Sequence, residues 1–250
     1  MFRVVVLFYL IGAMATLRAE TPPPLEAAVQ KLIADTDRWA YTQEVREFDK
    51  NGKAEPGPTL ERYDPSKPES EQWTLRLYRG RIPTASDVQS WKRQKIRESR
   101  RRERPLGEII DFDRAILAED GEGAWIYRVP IKPGASRRLP EDKFYVLMQV
   151  DKIRQELTRV TVRTTEAFRL SGVAGLAAKV DRVEIDAQFG VIDAQYAAQP
   201  SLINAAGSGR IAWVFRVGGR AEVAWSEMER VKPYRDRFDV QIGDVKALDF

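Results

Sequence analysis

The chain has 250 residues with no cysteine and no histidine, and its 41 Lys and Arg against 37 Asp and Glu give a net charge of only +4. Without imidazole or thiol there is no Ser-His-Asp triad, no Cys nucleophile and no His or Cys zinc site; a carboxylate pair, a Ser-Lys dyad or an oxygen-ligand cation site is the chemistry left. No EF-hand-like spacing, GxSxG, SxxK or glycine-rich phosphate loop follows the first residues, so the composition points to a binding protein with no metal and no cofactor rather than to an enzyme.

Arg3, the apolar run Val4 to Leu17 and the small residue Ala19 read as a cleavable signal peptide over residues 1–19. The run is shorter than the ~20 apolar residues of a transmembrane helix. Its removal takes two of the 41 basic residues and no acid, leaving +2. No cysteine follows it, so the expected product is a free periplasmic protein, held together by core burial without disulfides, as a single domain over residues 20–250.

Leu25, Val29, Leu32 and Ile33 form one apolar stripe, which predicts a helix over Leu25 to Asp37. The period then changes to two at Trp39, Tyr41, Gln43 and Val45. Asp49-Lys50-Asn51-Gly52 is a turn, and Thr59 to Tyr63 returns as a second strand. Gln72 to Arg79 completes a three-stranded meander, with Trp73, Leu75 and Leu77 on one face.

Pro83-Thr84 opens a second helix, Thr84 to Arg104. Thr84 caps it and Asp87 stands three residues on. From Lys92 this helix is strongly basic, and Arg97, Arg100, Arg101, Arg102 and Arg104 are candidates for contact with an anionic membrane surface. Pro105 and Gly107 break the pattern, and Glu108 to Ala118 leads into a second β region. Glu119 to Gly123 is a turn; Trp125, Tyr127, Val129 and Ile131 mark another buried face; residues 132–142 form a loop.

Strands follow in series: Phe144 to Val150, Glu156 to Thr164, Ala178 to Gln188, Val191 to Ile203, Arg210 to Val217 and Ala221 to Val231. Gly218-Gly219 is read as the tight hairpin joining the last two. Short strands with frequent turns and no helices between them mean antiparallel β. A further strand over Phe238 to Phe250 would resemble the close of an outer-membrane barrel. Its alternate positions include Lys246 and Asp244, however, and a midplane Lys costs ~2 to 4 kcal/mol in lipid.

Tyr41-Thr42-Gln43-Glu44-Val45, Leu60-Glu61-Arg62 and the Trp73 strand ending at Gly80 occur in an order that resembles the LolA-like superfamily of outer-membrane lipoprotein-sorting carriers. There an N-terminal helix precedes a strand with an aromatic-x-Gln sequence, then a strand with a basic residue before a proline, then strands ending at a Gly turn. The resemblance covers the order of elements over most of residues 25–231. It implies a mainly β (α+β) fold, a curved antiparallel half-barrel covered by a few helices, whose concave face receives acyl chains. Arg62, with Pro65 after it, best matches the carriers' basic residue and is expected at the rim near a headgroup. The chain departs by lacking a Phe-Arg-Trp-like run there and by inserting the basic helix, residues 84–104.

The apolar stripes Trp73, Leu75 and Leu77, then Trp125, Tyr127 and Val129, then Trp213 and Phe215 are the candidate lining for such a ligand. Alternation alone does not separate a cavity wall from a filled core. Two functions stay open: a monomeric carrier for a lipid or lipoprotein acyl chain, and a non-catalytic module that binds an envelope protein through a sheet edge or the basic helix. Nucleic acid is disfavoured as a partner, because the expected compartment does not contain it.

Overall fold

The computed structural model describes residues 21–35, 38–54, 56–100, 106–135, 140–173, 176–211 and 215–237. The expected signal peptide and the expected strand over Phe238 to Phe250 lie outside them. The elements are α1 (Pro23–Asp35), β1 (Trp39–Phe48), β2 (Thr59–Tyr63), β3 (Trp73–Leu77), α2 (Ala85–Arg100), a one-turn α3 (Leu106–Ile109), β4 (Ile116–Asp120) and β5 (Ala124–Val129). They continue with β6 (Phe144–Asp151), β7 (Leu157–Thr164), β8 (Phe168–Val173), β9 (Leu176–Gly190), β10 (Gln199–Ile211) and β11 (Phe215–Arg230).

One antiparallel sheet holds all these strands, in the order β3-β2-β1-β11-β10-β9-β7-β6-β5-β4, with β8 beside β9. β3 and β4 are its two edges, so the sheet is an open half-barrel. The meander at one end forms as the sequence predicts. Asp49 Oδ1 accepts from the amides of Asn51 and Lys53 at 2.8 and 2.9 Å, and Gly52 takes φ +80° to complete the turn. β11 then returns from the far end of the chain to pair with β1, which joins the meander to the later strands.

The core sits between α1 and the β5 to β9 part of the sheet. On β6, Phe144, Val146, Met148 and Val150 alternate with half-buried positions, and all four are buried. Leu25, Ala28 and Val29 of α1 pack into the same cluster, together with Tyr127, Val129, Leu157 and Val183. Each large apolar side chain removed from water there contributes about 1.5–3 kcal/mol. The body of α1 is therefore held by non-directional burial.

Two readings of the later strands are corrected here. Residues 191–198 are a connection rather than the first half of a strand: Asp193 accepts from the amides of Gln195 and Tyr196, a local turn that competes with strand pairing. The other is β8, which lies where the sequence reading places no strand; Glu108 to Ala118 leads into β4 as expected, by way of α3 and a short 3-10 turn.

Gly218-Gly219 is not a hairpin turn. Ile211 already faces Phe215, and the glycines lie inside β11, opposite Ser208 and Gly207. Their role is close approach on both sides. A Cβ on Gly218 would stand 2.4 Å from the carbonyl oxygen of Gly207 on β10, and one on Gly219 would stand 2.7 Å from that of Phe48 on β1.

Gly218→Ala is therefore expected to destabilise the fold by about 1–3 kcal/mol, because backbone must shift to admit the methyl group. Gly123→Ala, with nothing within 4 Å of its Cβ, should stay within about 0.5 kcal/mol of the parent. Urea unfolding of the two variants side by side checks this.

Candidate functional site

The sheet has two chemically distinct faces, and the register assigns residues to them. Tyr41, Gln43 and Val45 on β1 align with Tyr63, Glu61 and Thr59 on β2, and Trp73 and Leu75 on β3 continue the same face. Both long helices lie on this side, α1 over the β5 to β9 end and α2 over the β1 to β3 end.

α2 begins with a reciprocal cap. Asp87 N donates to Thr84 Oγ1 at 3.3 Å, while Thr84 N donates to Asp87 Oδ2 at 2.8 Å. Arg81 adds a bidentate pair to the same carboxylate at 2.8 and 3.2 Å. Arg81 above all, then the Thr84 hydroxyl and amide, hold the Asp87 carboxyl well below the usual carboxylate range.

One turn further, Trp91 is buried and its Nε1 donates to Glu61 Oε1 at 2.5 Å. Lys95 Nζ donates to Glu61 Oε2 at 2.6 Å, and Gln43 Nε2 donates to the same oxygen at 2.9 Å. The Lys95 ammonium also lies 4.0 Å from the centroid of the Trp73 ring. Tyr41, Tyr63 and Trp73 form an aromatic cluster below it, with ring centroids 4.9 to 6.1 Å apart. Glu61 is 5% exposed, so these donors satisfy a carboxylate that water scarcely reaches.

A second polar anchor fixes the C-terminal end of α1. The buried Asp35 accepts from Trp39 Nε1 at 2.9 Å, from Gln199 Nε2 at 3.4 Å and from Arg230. Arg230 in turn lies over the Tyr196 ring, 3.7 Å from its centroid. This network ties the helix to both β1 and β11.

Between the two helix-covered ends runs a trough. By register, Val45, Val223, Ile203 and Ala187 stand in one row across β1, β11, β10 and β9, and Ala221, Ala205 and Ile185 stand in the next. All but Ala187 are half-buried rather than buried. Trp225, beside Gln43, stands toward the α2 end. Alanines at these positions keep the trough low beside Trp225 and the isoleucines. Its surface is apolar across β9, β10 and β11, with the exposed Glu47 of β1 opposite Ala221 at its border; among the described residues no three Asp or Glu side chains converge to hold a metal ion.

The sequence-predicted residues are distributed over this frame unevenly. Trp73, Leu75 and Trp125 lie on the helix-covered face, Leu75 buried and the two tryptophans half-buried. Leu77 is half-buried beside Leu60 at a bulge. Tyr127 and Val129, 4% and 1% exposed, belong to the packed cluster under α1. Trp213 lies outside the described residues, as does the side chain of Phe215.

Arg62 points the other way. It shares the outer face with Thr42 and Thr74, and its Nη1 donates to the Glu227 carbonyl at 2.8 Å. Thr42 and Arg76 donate to the Glu227 carboxylate and hold it below the usual range. Arg62 is thus part of an outer-face ion cluster, away from the trough.

Of the basic positions, Arg97 is exposed on α2. Arg100 closes the helix, with its side chain outside the described residues, and Arg101, Arg102 and Arg104 lie outside them altogether. The trough residues Val223, Ile203 and Ile185 were missed as site residues. A signal for them exists in β11, where Ala221, Val223 and Trp225 alternate with Arg220, Glu222 and Ala224.

No protein-family model matches the chain, and no curated protein sequence matches it. Among solved structures, it is similar to the LolA superfamily protein NE2245 from Nitrosomonas europaea, with 89% of this chain and 98% of that chain aligned at 11% identity and a TM-score of 0.40.

Proposed function

We propose that this protein is a non-catalytic periplasmic carrier that holds the acyl chain of a lipid or lipoprotein in the trough between α1 and α2. The observation that carries the reading is the row of apolar residues left half-buried in the middle of the sheet, between the strands under α1 and those under α2. Water on Val45, Val223 and Ile203 is a standing cost that an aliphatic ligand relieves. Burial of an acyl chain yields about 0.8 kcal/mol per methylene. Eight methylenes supply about 6 kcal/mol with no charged group involved, which before ordering costs are subtracted corresponds to a Kd in the tens of micromolar. The absence of His and Cys is consistent with this chemistry, and no helix among the described residues is long and apolar enough to cross a membrane.

A second reading rests on β4. All five of its residues are exposed at the sheet edge, with Ile116 60% and Leu117 49% exposed. An unpaired edge of this kind accepts an added strand, so a partner protein could dock there instead.

Replacing Val223 by Glu should weaken uptake of a fluorescent fatty acid at least tenfold, because one charge is placed on the trough. Glu222→Gln, one residue away on the outer face, should leave uptake unchanged. Equal uptake by the two variants, both folded by circular dichroism, would remove the trough from consideration and favour the β4 edge.

The docking of α2 gives a separate expectation. Glu61→Leu removes the acceptor shared by Trp91, Lys95 and Gln43, so trypsin should cut within α2, after Lys92, Arg93 or Lys95, at least tenfold faster than in the parent. Cleavage after Lys143, at the start of the α1-packed core, should not change. Equal rates at both places would show that apolar contact alone holds α2 down.

A further inference from the structure

α2 carries a second surface, independent of the trough. At about 100° per residue, Val88 and Lys95 fall within roughly 60° of Trp91 on the sheet side. Ser90, Arg93 and Arg97 fall roughly 200° to 260° from it, on the side turned away. These three residues and Ile96 line a shallow hollow that is open to solvent.

The side chains there are arranged for an anion. Arg97 Nε donates to the Arg93 carbonyl and Arg93 Nη2 donates to Ser90 Oγ, both at 3.3 Å, so both guanidiniums lie along the helix against neutral acceptors. They are one turn apart, with a hydroxyl another turn below. Ile96 is 50% exposed beside them, and Lys92 is exposed as well.

We propose that this outer face of α2 is a contact surface for anionic phospholipid, with Arg93 and Arg97 on headgroup phosphates and Ile96 entering the boundary between headgroups and acyl chains. Two points favour a bilayer over other polyanions. A guanidinium matches phosphate oxygens in a bidentate fork, and a bilayer offers phosphates side by side, so both arginines engage together. An exposed isoleucine between cations is the pattern of a helix lying in a membrane interface.

The test is co-sedimentation of the full-length chain with phosphatidylglycerol vesicles and with phosphatidylcholine vesicles, the latter measuring any contribution of the apolar N-terminal run. The parent should prefer phosphatidylglycerol, and less so as salt rises. Arg93→Gln with Arg97→Gln should reduce that partitioning about thirty-fold, given the usual attraction of each charge to an anionic leaflet. Ile96→Ser should also reduce it while leaving the salt dependence unchanged.

Equal affinity for the two lipids, or parental binding by the double Gln variant, would overturn the proposal. Full displacement of the vesicles by millimolar glycerol 3-phosphate would also overturn it, by making this a soluble-phosphate site. Fatty-acid uptake and the melting temperature serve as controls. Arg93 and Arg97 do not line the trough, so the same variants should keep both, and failure of this surface is distinguishable from failure of the acyl-chain reading.

Discussion

A buried carboxylate cannot be left without donors, and Glu61 is the place where this constraint organises the helix-covered face. Its two oxygens receive Gln43 from the neighbouring strand and Trp91 and Lys95 from α2. Removing one partner of such a buried pair costs about 3–5 kcal/mol, against about 1.5–3 kcal/mol for burying one large apolar side chain. The position of α2 is therefore set by where Glu61 can be satisfied. Because these bonds are directional, they fix the rotation of the helix: with Trp91 and Lys95 down, Arg93 and Arg97 must face out.

The two helices are thus held by different physics, and the trough is what lies between them. α1 packs Leu25, Ala28 and Val29 into a continuous apolar cluster and is pinned at its end by Asp35. α2 brings one large buried apolar group, Trp91, and a set of charges. A helix with so narrow an apolar stripe cannot spread over the central strands, so the rows through Val223 and Ala221 stay half-buried. The hollow is a consequence of the α2 sequence as much as of the sheet beneath it.

Local features of this arrangement were legible in the sequence. The Thr84 to Asp87 cap, the Asp49 to Gly52 turn and the buried faces of β3 and β5 each follow from residues a few positions apart, where the relevant energies are short-range. Features set by register were not legible. Gly218-Gly219 has turn composition, yet its function depends on the carbonyls of Gly207 and Phe48, brought close only by the pairing of three strands. The family resemblance implies a rim position for Arg62, whereas its face is decided by the parity of β2 against β1 and β3. Tyr127 and Val223 carry the same alternation signal; one is core and the other trough because α1 covers the first and neither helix covers the second.

The outer-face ion clusters explain how the half-barrel can leave that trough uncovered. An open sheet with a thinly packed centre gives up apolar burial where a closed core would have it, and its central strands need other links. On the outer face, Arg159 of β7 makes a bidentate pair with Asp186 of β9 at 2.5 and 2.9 Å, and Thr161 donates to the same carboxylate. Arg159 and the other donors hold Asp186 below its ordinary range, so the pair stays ionised under neutral conditions. Thr42, Arg62 and Arg76 do the same around Glu227 at the β1 to β11 junction. These links join strands across the sheet from the side opposite the trough. The helix-covered face can then keep small and half-buried residues, because strand registry there does not depend on filling it.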